Sequence, residues 1–200
     1  MFCEPSNIPH LNTFEHSTGR RREGNIPHSC DFEEVRCTQL TMSFFDGLSD
    51  AEYPVVQNGK VIECMPDEFD GIECNTELRM MLLNEESEAY FVFDEKERNE
   101  LMFLIFKCLV LGGGLCQYEN EIQPYLDMTK SLYKDLVTVG KNKEGKIEIL
   151  SQVFKVYPKD SDGETMFPES TDHHQNFCIA VIDPIKRHVH VLYNQWQSFW

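Results

Sequence analysis

The chain has 200 residues, of which 41% are hydrophobic and 12% aromatic, and its formal net charge is −16. This apolar content is sufficient for a folded core and differs from the composition of a disordered chain. The negative charge disfavours nucleic acid and anionic membranes as partners, because both are bound through lysine and arginine. The basic run RRR at 20–22 is isolated in a polar stretch and is interpreted as a solvated segment.

The sequence lacks recognisable targeting and membrane-spanning patterns. Its first ten residues, MFCEPSNIPH, have neither the basic start nor the apolar stretch of a signal peptide. The longest hydrophobic run, at 101–111, contains Lys107 and is shorter than the roughly 18 residues that a span needs. None of the eight cysteines forms a C-x-x-C pair. These features predict a soluble intracellular protein with reduced, mostly buried thiols.

The first part of the chain changes character near residue 35. Residues 1–34 show no sustained hydrophobic period and are predicted to be poorly ordered, whereas residues 35–200 are predicted to form a single α+β domain. Residues 35–45 alternate and are rich in threonine and phenylalanine, which predicts a strand. Within 53–64, the pair Asn58-Gly59 separates two β-branched pairs and predicts a type I′ hairpin.

The central part of the chain is predicted to be helical. Asn75 or Thr76 is expected to cap a helix over 77–83, and the aromatic stretch 90–93 is expected to be extended. Asp94 begins a longer helix, with acidic residues in its first turn and apolar residues on all sides further along, which predicts a buried central helix ending near 111.

The triple glycine at 112–114 follows this helix and has two interpretations. A phosphate-binding loop needs a lysine and a hydroxyl after the glycines, or a preceding strand with the spacing G-x-G-x-x-G, and neither is present. A helix end is favoured instead, because glycine readily adopts the left-handed conformation that ends a helix. A second helix over 122–136, with Pro124 in its first turn, then completes a helical hairpin. Its predicted buried face is Tyr125, Met128, Leu132 and Leu136, with Tyr133 beside it.

In the last third of the chain, apolar and polar residues alternate with the two-residue period of β-strands. A short strand at 136–139 is followed by the polar turn GKNKEGK and a long strand over 146–156. Residues 157–175 are rich in turn-forming residues and are predicted to be exposed. Strands over 176–182 and 188–193 are joined by a short turn containing Pro184. The whole pattern predicts a mainly antiparallel sheet, with an early hairpin and a C-terminal meander, packed against a central helical hairpin.

Several side chains have the chemistry of a site but not its full pattern. His188 and His190 share one face of a strand and resemble two metal ligands, for which His173, His174 or Cys178 would have to supply a third. Exposed strand histidines are the favoured alternative. The run DHH at 172–174 resembles that of metal-dependent phosphoesterases, whose further aspartate motifs are missing, so it is interpreted as a loop.

The residue types also allow a cysteine nucleophile and a calcium site, but simpler interpretations are available for both. Cys116 or Cys178 beside a histidine could act as a nucleophile, although a thiol buried in an apolar strand would stay protonated. Residues 63–100 hold 13 of the 34 acidic side chains and 3 of the 18 basic ones, but Asp67, Asp70 and Gly71 lack the offsets of an EF-hand. A solvated surface or an acidic patch that faces a partner is favoured. We therefore assign no catalytic, cofactor-binding or metal-binding residues.

Five segments together resemble one known family. They are CTQLTMSFF at 37–45, LGGGLCQYE at 111–119, PYLDMTKSLYKDLV at 124–137, SQVFKV at 151–156 and VIDPIKRHVHVLY at 181–193. Their order and content resemble those of cilia- and flagella-associated protein 300, a factor for assembling axonemal dynein arms. The resemblance runs from about 35 to 193. Family members carry further sequence before CTQL, so residues 1–34 and the tail after Tyr193 are expected to differ from the family.

The resemblance implies a function as well as a family. It implies a non-enzymatic factor of the cytoplasm and the axoneme that assembles or transports outer and inner dynein arms for motility. Its implied partners are a kintoun-type dynein assembly factor, dynein arm subunits and the intraflagellar transport machinery, with no cofactor. The alternatives left open are a structural component of the axoneme and a small hydrolase with a Cys/His site.

Overall fold

The computed structural model describes residues 26–50, 52–69, 71–112, 119–168 and 173–196. The strands in these ranges are short to medium in length. They are β1 (Ser29–Val35), β2 (Val56–Gln57), β3 (Lys60–Val61), β4 (Glu63–Phe69), β5 (Ile72–Thr76), β6 (Val139–Lys141), β7 (Ile147–Ile149), β8 (Gln152–Lys159), β9 (Phe177–Asp183) and β10 (His188–Asn194).

The helices lie mainly between β5 and β6. They are α1 (Gly47–Asp50), α2 (Glu77–Leu83), α3 (Glu95–Arg98), α4 (Leu101–Leu111) and α5 (Gln123–Leu136), together with 3-10 helices at Met42–Phe45 and Glu88–Val92. None of the helices in the described ranges is long and apolar enough to cross a membrane.

The main sheet has four antiparallel strands in the order β1-β8-β9-β10. Three separate two-stranded ribbons, β2–β3, β4–β5 and β6–β7, complete the strand content. Helices α4 and α5 pack against each other, and their apolar residues join those of β8 and β9 in one core. The predicted α+β class, with an antiparallel sheet and a helical hairpin, is confirmed.

Helix α4 is the centre of this core. Leu101, Ile105 and Phe106 have no exposed surface, and the rest of the helix is buried or half-buried. Phe106 also packs against Phe45, with 4.7 Å between the ring centroids, and Phe93 lies 5.1 Å from Phe103. A helix that is apolar all round is expected to be enclosed on all sides, and α4 confirms this prediction.

Local signals correctly located several other elements. Asn58 and Gly59 have φ of 52° and 77°, as a type I′ turn requires. The Thr76 side chain accepts a hydrogen bond from the Arg79 amide and caps α2. Gly112 ends α4 with φ 63°, so the prediction of a helix end is confirmed at that residue. Gly113 and Gly114 lie outside the described residues.

Helix α5 has the predicted bounds to within one residue, but its buried stripe is rotated from the predicted face. The buried residues are Tyr125, Thr129 and Tyr133, whereas Met128 is 52% exposed. Thr129 can be buried because its hydroxyl donates to the Tyr125 carbonyl at 2.8 Å. The Tyr133 hydroxyl likewise donates to the carbonyl of Gln39 at 2.9 Å. Thr129 and Tyr133, whose hydroxyls are hydrogen-bonded, therefore occupy the buried face of α5 in place of Met128.

The predicted strand over 35–45 is wrong. Strand β1 begins at Ser29, before the predicted start of order, and ends at Val35. The chain then leaves the sheet and forms a 3-10 helix at Met42–Phe45. Long-range aromatic packing explains the difference, because the Phe44 and Phe45 rings both contact Phe93, at 5.2 and 6.0 Å. Alternation alone cannot report such contacts.

Four other features differ from expectation. The aromatic stretch near 90 forms a 3-10 helix rather than a strand, and the helix that begins after Asp94 is interrupted at Asn99 and Glu100. The predicted strand over 146–156 is divided at Leu150 and Ser151, so that β7 pairs with β6 and β8 pairs with β1 and β9. Strand β8 also extends to Lys159, into the segment predicted to be an exposed turn.

The interruption at Glu100 has a definite cause. The Glu100 side chain is 1% exposed and accepts hydrogen bonds from the Thr38 amide at 2.9 Å and the Thr38 hydroxyl at 2.6 Å. Its carboxylate also lies 3.2 Å from Nε of Arg36. Main-chain bonds link Arg36 to Asn99 and Leu101 on either side. The carboxylate therefore holds the segment after β1 against the first turn of α4.

Replacing Glu100 with glutamine should destabilise the fold. The amide nitrogen of glutamine is a donor facing the donors of Thr38 and Arg36, so a buried polar group loses its partner, at a cost of about 2 kcal/mol or more. Urea unfolding measures the loss. The matched control is Glu144→Gln, which breaks an ion pair with Lys146 whose side chains are 71% and 77% exposed and should cost less than about 0.5 kcal/mol. Equal effects of the two substitutions would contradict the role of Glu100.

Candidate functional site

The strand histidines lie where the sequence predicted, but the third ligand is missing from the described residues. His188 and His190 are both exposed on β10 and share a face with Leu192, which packs against the core. Opposite them on β9 are Asp183 and Val181. No group of three potential metal ligands occurs among the residues that the structure describes. The two rings are therefore a pair of exposed strand histidines.

The loop histidines have other contacts. The His173 ring stacks on Trp196, with 4.7 Å between the centroids, and its Nδ1 accepts a hydrogen bond from the Gln175 amide. Nδ1 of His174 lies 3.5 Å from Nζ of Lys107. Burial lowers the pKa of Lys107 to about 8, because the charged ammonium is disfavoured there. Asp172, the first residue of the DHH run, lies outside the described ranges.

Three cysteines in the described ranges, including the candidate Cys178, do not have the properties of nucleophiles. Cys178 is buried within β9, and desolvation raises the pKa of its thiol to about 11. Burial also raises the pKa of Cys108 to about 12 and that of Cys37 to about 11. Thiols with these values are protonated at neutral pH and are poor nucleophiles. Cys116, the other candidate, lies outside the described residues.

The first part of the acidic segment, β4 and β5, forms a ribbon that sequence analysis did not predict. Strands β4 and β5 pair around Gly71, which has φ 76°. Asp67, Glu68 and Glu73 are exposed on this ribbon, and Met65 is 86% exposed. The frequent acidic residues masked its strand pattern, since they are depleted in strands. Part of the predicted acidic surface is thus carried on an exposed pair of strands, while the remaining acidic residues of 63–100 follow in the helical stretch after β5.

A cavity of about 320 Å³ lies beside this ribbon. Its wall combines the buried guanidinium of Arg79 with the carboxylates of Glu63 and Glu119. Nη1 of Arg79 donates to Oδ1 of Asn75 at 2.8 Å, which orients the guanidinium. Because both signs of charge line one wall, the arrangement favours no particular ionic ligand.

A second polar cluster fixes the turn between β9 and β10. Oδ2 of Asp183 accepts a hydrogen bond from the Thr138 hydroxyl at 2.6 Å, and Oδ1 accepts from the amides of Ile185 and Lys186 at 2.9 Å each. These bonds, led by that from Thr138, lower the pKa of Asp183 from 3.8 to about 2. The Thr138 amide donates to Ser151 in turn. The cluster joins the β6–β7 ribbon to the main sheet.

Strand β10 is an edge of the main sheet in the described structure. Val189 is 58% exposed and Val191 is 39% exposed, on the face opposite the histidines. On the helix side, a cavity of about 220 Å³ lies between β10 and the helices. Its lining includes Leu192, Leu109 and Leu132, so it is largely apolar. The sequence predicted the strand but not this cavity, which depends on the packing of four elements, α4, α5, β9 and β10.

The Asp183 cluster should make the stability of the fold depend on acid pH. Its folded-state pKa lies below the ordinary value of 3.8, so the ionised carboxylate stabilises the fold above that pH. The contribution should be lost as the pH falls toward about 2. Unfolding by urea across this range measures it.

Two variants separate this cluster from other acidic groups. In Asp183→Asn, the free energy of unfolding should fall less as the pH is lowered, because no carboxylate remains at this position to be protonated. Thr138→Val removes the strongest donor and so raises the folded-state pKa towards its ordinary value. The loss of stability should then be smaller and should be complete at a higher pH than in the wild type. Identical pH profiles for the wild type and both variants would contradict this assignment.

The buried thiols should react only on unfolding. With pKa values of about 12 and 11, Cys108 and Cys178 have a negligible thiolate fraction at neutral pH. Iodoacetamide labelling followed by mass spectrometry should leave both unmodified in the native protein and modify both in urea. Rapid labelling of native Cys178 would instead support the nucleophile hypothesis.

Comparison with known proteins gives the family. The family model of cilia- and flagella-associated protein 300 matches residues 1–194. The match includes the first 34 residues, so the expectation that they differ from the family is wrong. No solved structure matches the chain.

Two curated relatives carry the same name. One, from Chlamydomonas reinhardtii, is 37% identical over 161 residues, which are 80% of this chain and 63% of the relative. The other, from Paramecium tetraurelia, is 39% identical over 170 residues, which are 84% of this chain and 64% of the relative. The chain thus spans less than two thirds of the length of either relative. On these matches, the chain belongs to the cilia- and flagella-associated protein 300 family.

Proposed function

We propose that this chain is a non-enzymatic factor that assembles or transports outer and inner axonemal dynein arms. The observation that carries the proposal is family membership, since the family and both relatives are named for cilia and flagella. The proposed places of action are the cytoplasm and the cilium or flagellum.

The chemistry of the described residues supports a role in binding rather than catalysis. An acid or base must lie within hydrogen-bond reach of a reacting group, and a nucleophile needs an activating neighbour. Burial instead keeps the thiol of Cys178 protonated. The carboxylate of Asp183 accepts three hydrogen bonds from its own fold and is committed to a turn. These groups stabilise the structure.

The proposed partners are proteins. They are a kintoun-type dynein assembly factor, dynein arm subunits and the intraflagellar transport machinery, while nucleic acid and membranes are not expected to bind. The exposed acidic ribbon β4–β5 is one proposed contact surface, because a surface of one sign selects partners of the other sign and speeds their association. A structural role in the axoneme is the second candidate, which the ciliary name of the family also supports.

Deletion of the gene in a ciliated cell tests the proposal. Axonemes should lose their dynein arms, as seen by electron microscopy, and the tagged protein should be mostly soluble after detergent extraction. Intact arms and normal beating in the deletion strain would reject the role in assembly. Retention of the protein in the extracted axoneme would favour the structural candidate instead.

Rescue with paired variants tests the ribbon as a contact surface. Asp67→Lys with Glu73→Lys reverses two exposed charges on β4–β5, and the rescued cells should regain fewer arms than with the wild type. The control is Glu144→Lys with Glu148→Lys, which reverses two exposed acidic residues in and beside the other ribbon, β6–β7, and should rescue fully. Equal rescue by both pairs would exclude the acidic ribbon while leaving the role in assembly intact.

A further inference from the structure

The two edges of the main sheet differ in how they are protected. Along β1, Asp31 and Glu33 form ion pairs with Lys159 and Lys155 of β8, at 2.7 and 2.9 Å. Charged side chains on an edge strand are a common protection against pairing with another chain. Strand β10 has no acidic residue, lysine or arginine from 188 to 194, and its outward residues include Val189. In the described structure β10 is therefore the unprotected edge.

An unpaired edge offers hydrogen bonds to an added strand. Alternate residues of an edge strand direct their amide and carbonyl groups away from the sheet. Within the described residues, β10 pairs only with β9, through seven residue pairs from His188–Asp183 to Asn194–Phe177. Its other side thus presents main-chain groups over a length close to that of an ordinary strand. Main-chain hydrogen bonds of this kind contribute to affinity whatever side chains the added strand carries.

The cavity beside β10 supplies a means of selecting side chains. It has a volume of about 220 Å³ and is walled by Leu192 of β10, Leu109 of α4 and Leu132 of α5. Side chains of a neighbouring strand alternate between the two faces of a sheet. Those that point to the helix side would meet His190 and, towards the end of the strand, this apolar wall, and those on the opposite face would meet Val189 and Val191. An added strand is therefore expected to be apolar on both faces near its centre.

The start of β10 supplies a charge preference. In 173–196, the basic residues are Lys186 and Arg187, both exposed in the turn that precedes β10, and the exposed His188 follows directly. The only acidic residue of this segment is Asp183, which is buried in its hydrogen-bonded turn and lies 3.6 Å from Nζ of Lys186. The carboxylate therefore offsets part of the charge of Lys186, and Arg187 is the main cation of the turn. In a chain of net charge −16 this is a local cationic end. It complements a partner that carries acidic side chains there.

We propose that the free edge of β10 binds an extended segment of a protein partner, which joins the sheet as a fifth strand. The segment carries apolar side chains beside Val189, Val191 and the cavity, and one or more acidic residues beside Lys186 and Arg187. The inference does not depend on the role in dynein-arm assembly, because it follows from the sheet edge, the cavity and the local charge alone.

Selection from a phage-displayed library of random peptides, a dozen residues long, tests the proposal on the intact chain. Enriched peptides should combine alternating residues, an apolar centre and an acidic end. Hydrogen exchange should show alternate amides of β10 becoming protected when a selected peptide is added. A peptide with methylated main-chain nitrogens should bind at least about tenfold more weakly, because it cannot donate to the edge.

Matched variants locate the site. Val189→Lys places a charge on the β10 edge and should weaken a selected peptide by about tenfold or more. Val139→Lys is the control, since Val139 is a similarly exposed strand residue at 52%, against 58% for Val189, but lies in β6. It should leave peptide binding unchanged, and circular dichroism should show both variants folded.

Four results would overturn the proposal. They are failure of the library to enrich any peptide, equal binding of the peptide by Val189→Lys and the wild type, equal binding of the methylated peptide, and protection of all β10 amides before peptide is added. The last result would mean that another segment of the chain or a second copy already covers the edge, and sedimentation would distinguish these two occupants.

Discussion

The buried carboxylate of Glu100 is the interaction on which the arrangement of sheet and helices depends. A charge in an apolar core is costly unless it is fully hydrogen-bonded, and here the main chain and side chain of Thr38 satisfy it together with Arg36. Its partners lie more than sixty positions earlier in the chain. The same contact directs the chain out of the sheet after β1 and starts α4 where its apolar surface meets the core.

The other end of α4 is tied to the sheet in a comparable way. The Gln175 side chain is 7% exposed and donates to the carbonyls of Leu111 and Gly112, which a helix end leaves without partners. The carbonyl of Gln175 accepts a hydrogen bond from the Asn194 side chain at the end of β10. Through Gln175, the end of β10 and the end of α4 at Gly112 are therefore held together. Gly112 and Asn194 also line the cavity beside β10, so these bonds fix part of its wall.

The elements that the sequence predicted correctly are those specified by nearby residues. Thr76 caps α2 through the Arg79 amide, and Asn58 and Gly59 adopt the positive φ values that their hairpin turn requires. Residues 36–45 could not be predicted in this way, because their course follows from contacts with Glu100 and Phe93. The candidate site likewise contains features set by nearby residues and features set by distant ones. Alternation placed the two histidines of β10 on one face, but the Asp183–Thr138 bond joins residues 45 positions apart.

The acidic ribbon β4–β5 and the edge strand β10 differ in the charge of the side chains they expose. The acidic ribbon carries exposed carboxylates on a separate pair of strands, whereas the turn before β10 carries cations beside an apolar strand. Electrostatic attraction acts over about 10 Å at ordinary salt and governs how fast partners meet, while buried apolar contacts and main-chain bonds govern how long they remain. If both proposed contact surfaces bind partners, the acidic ribbon serves the first task and the β10 edge the second. Neither task requires a reactive side chain.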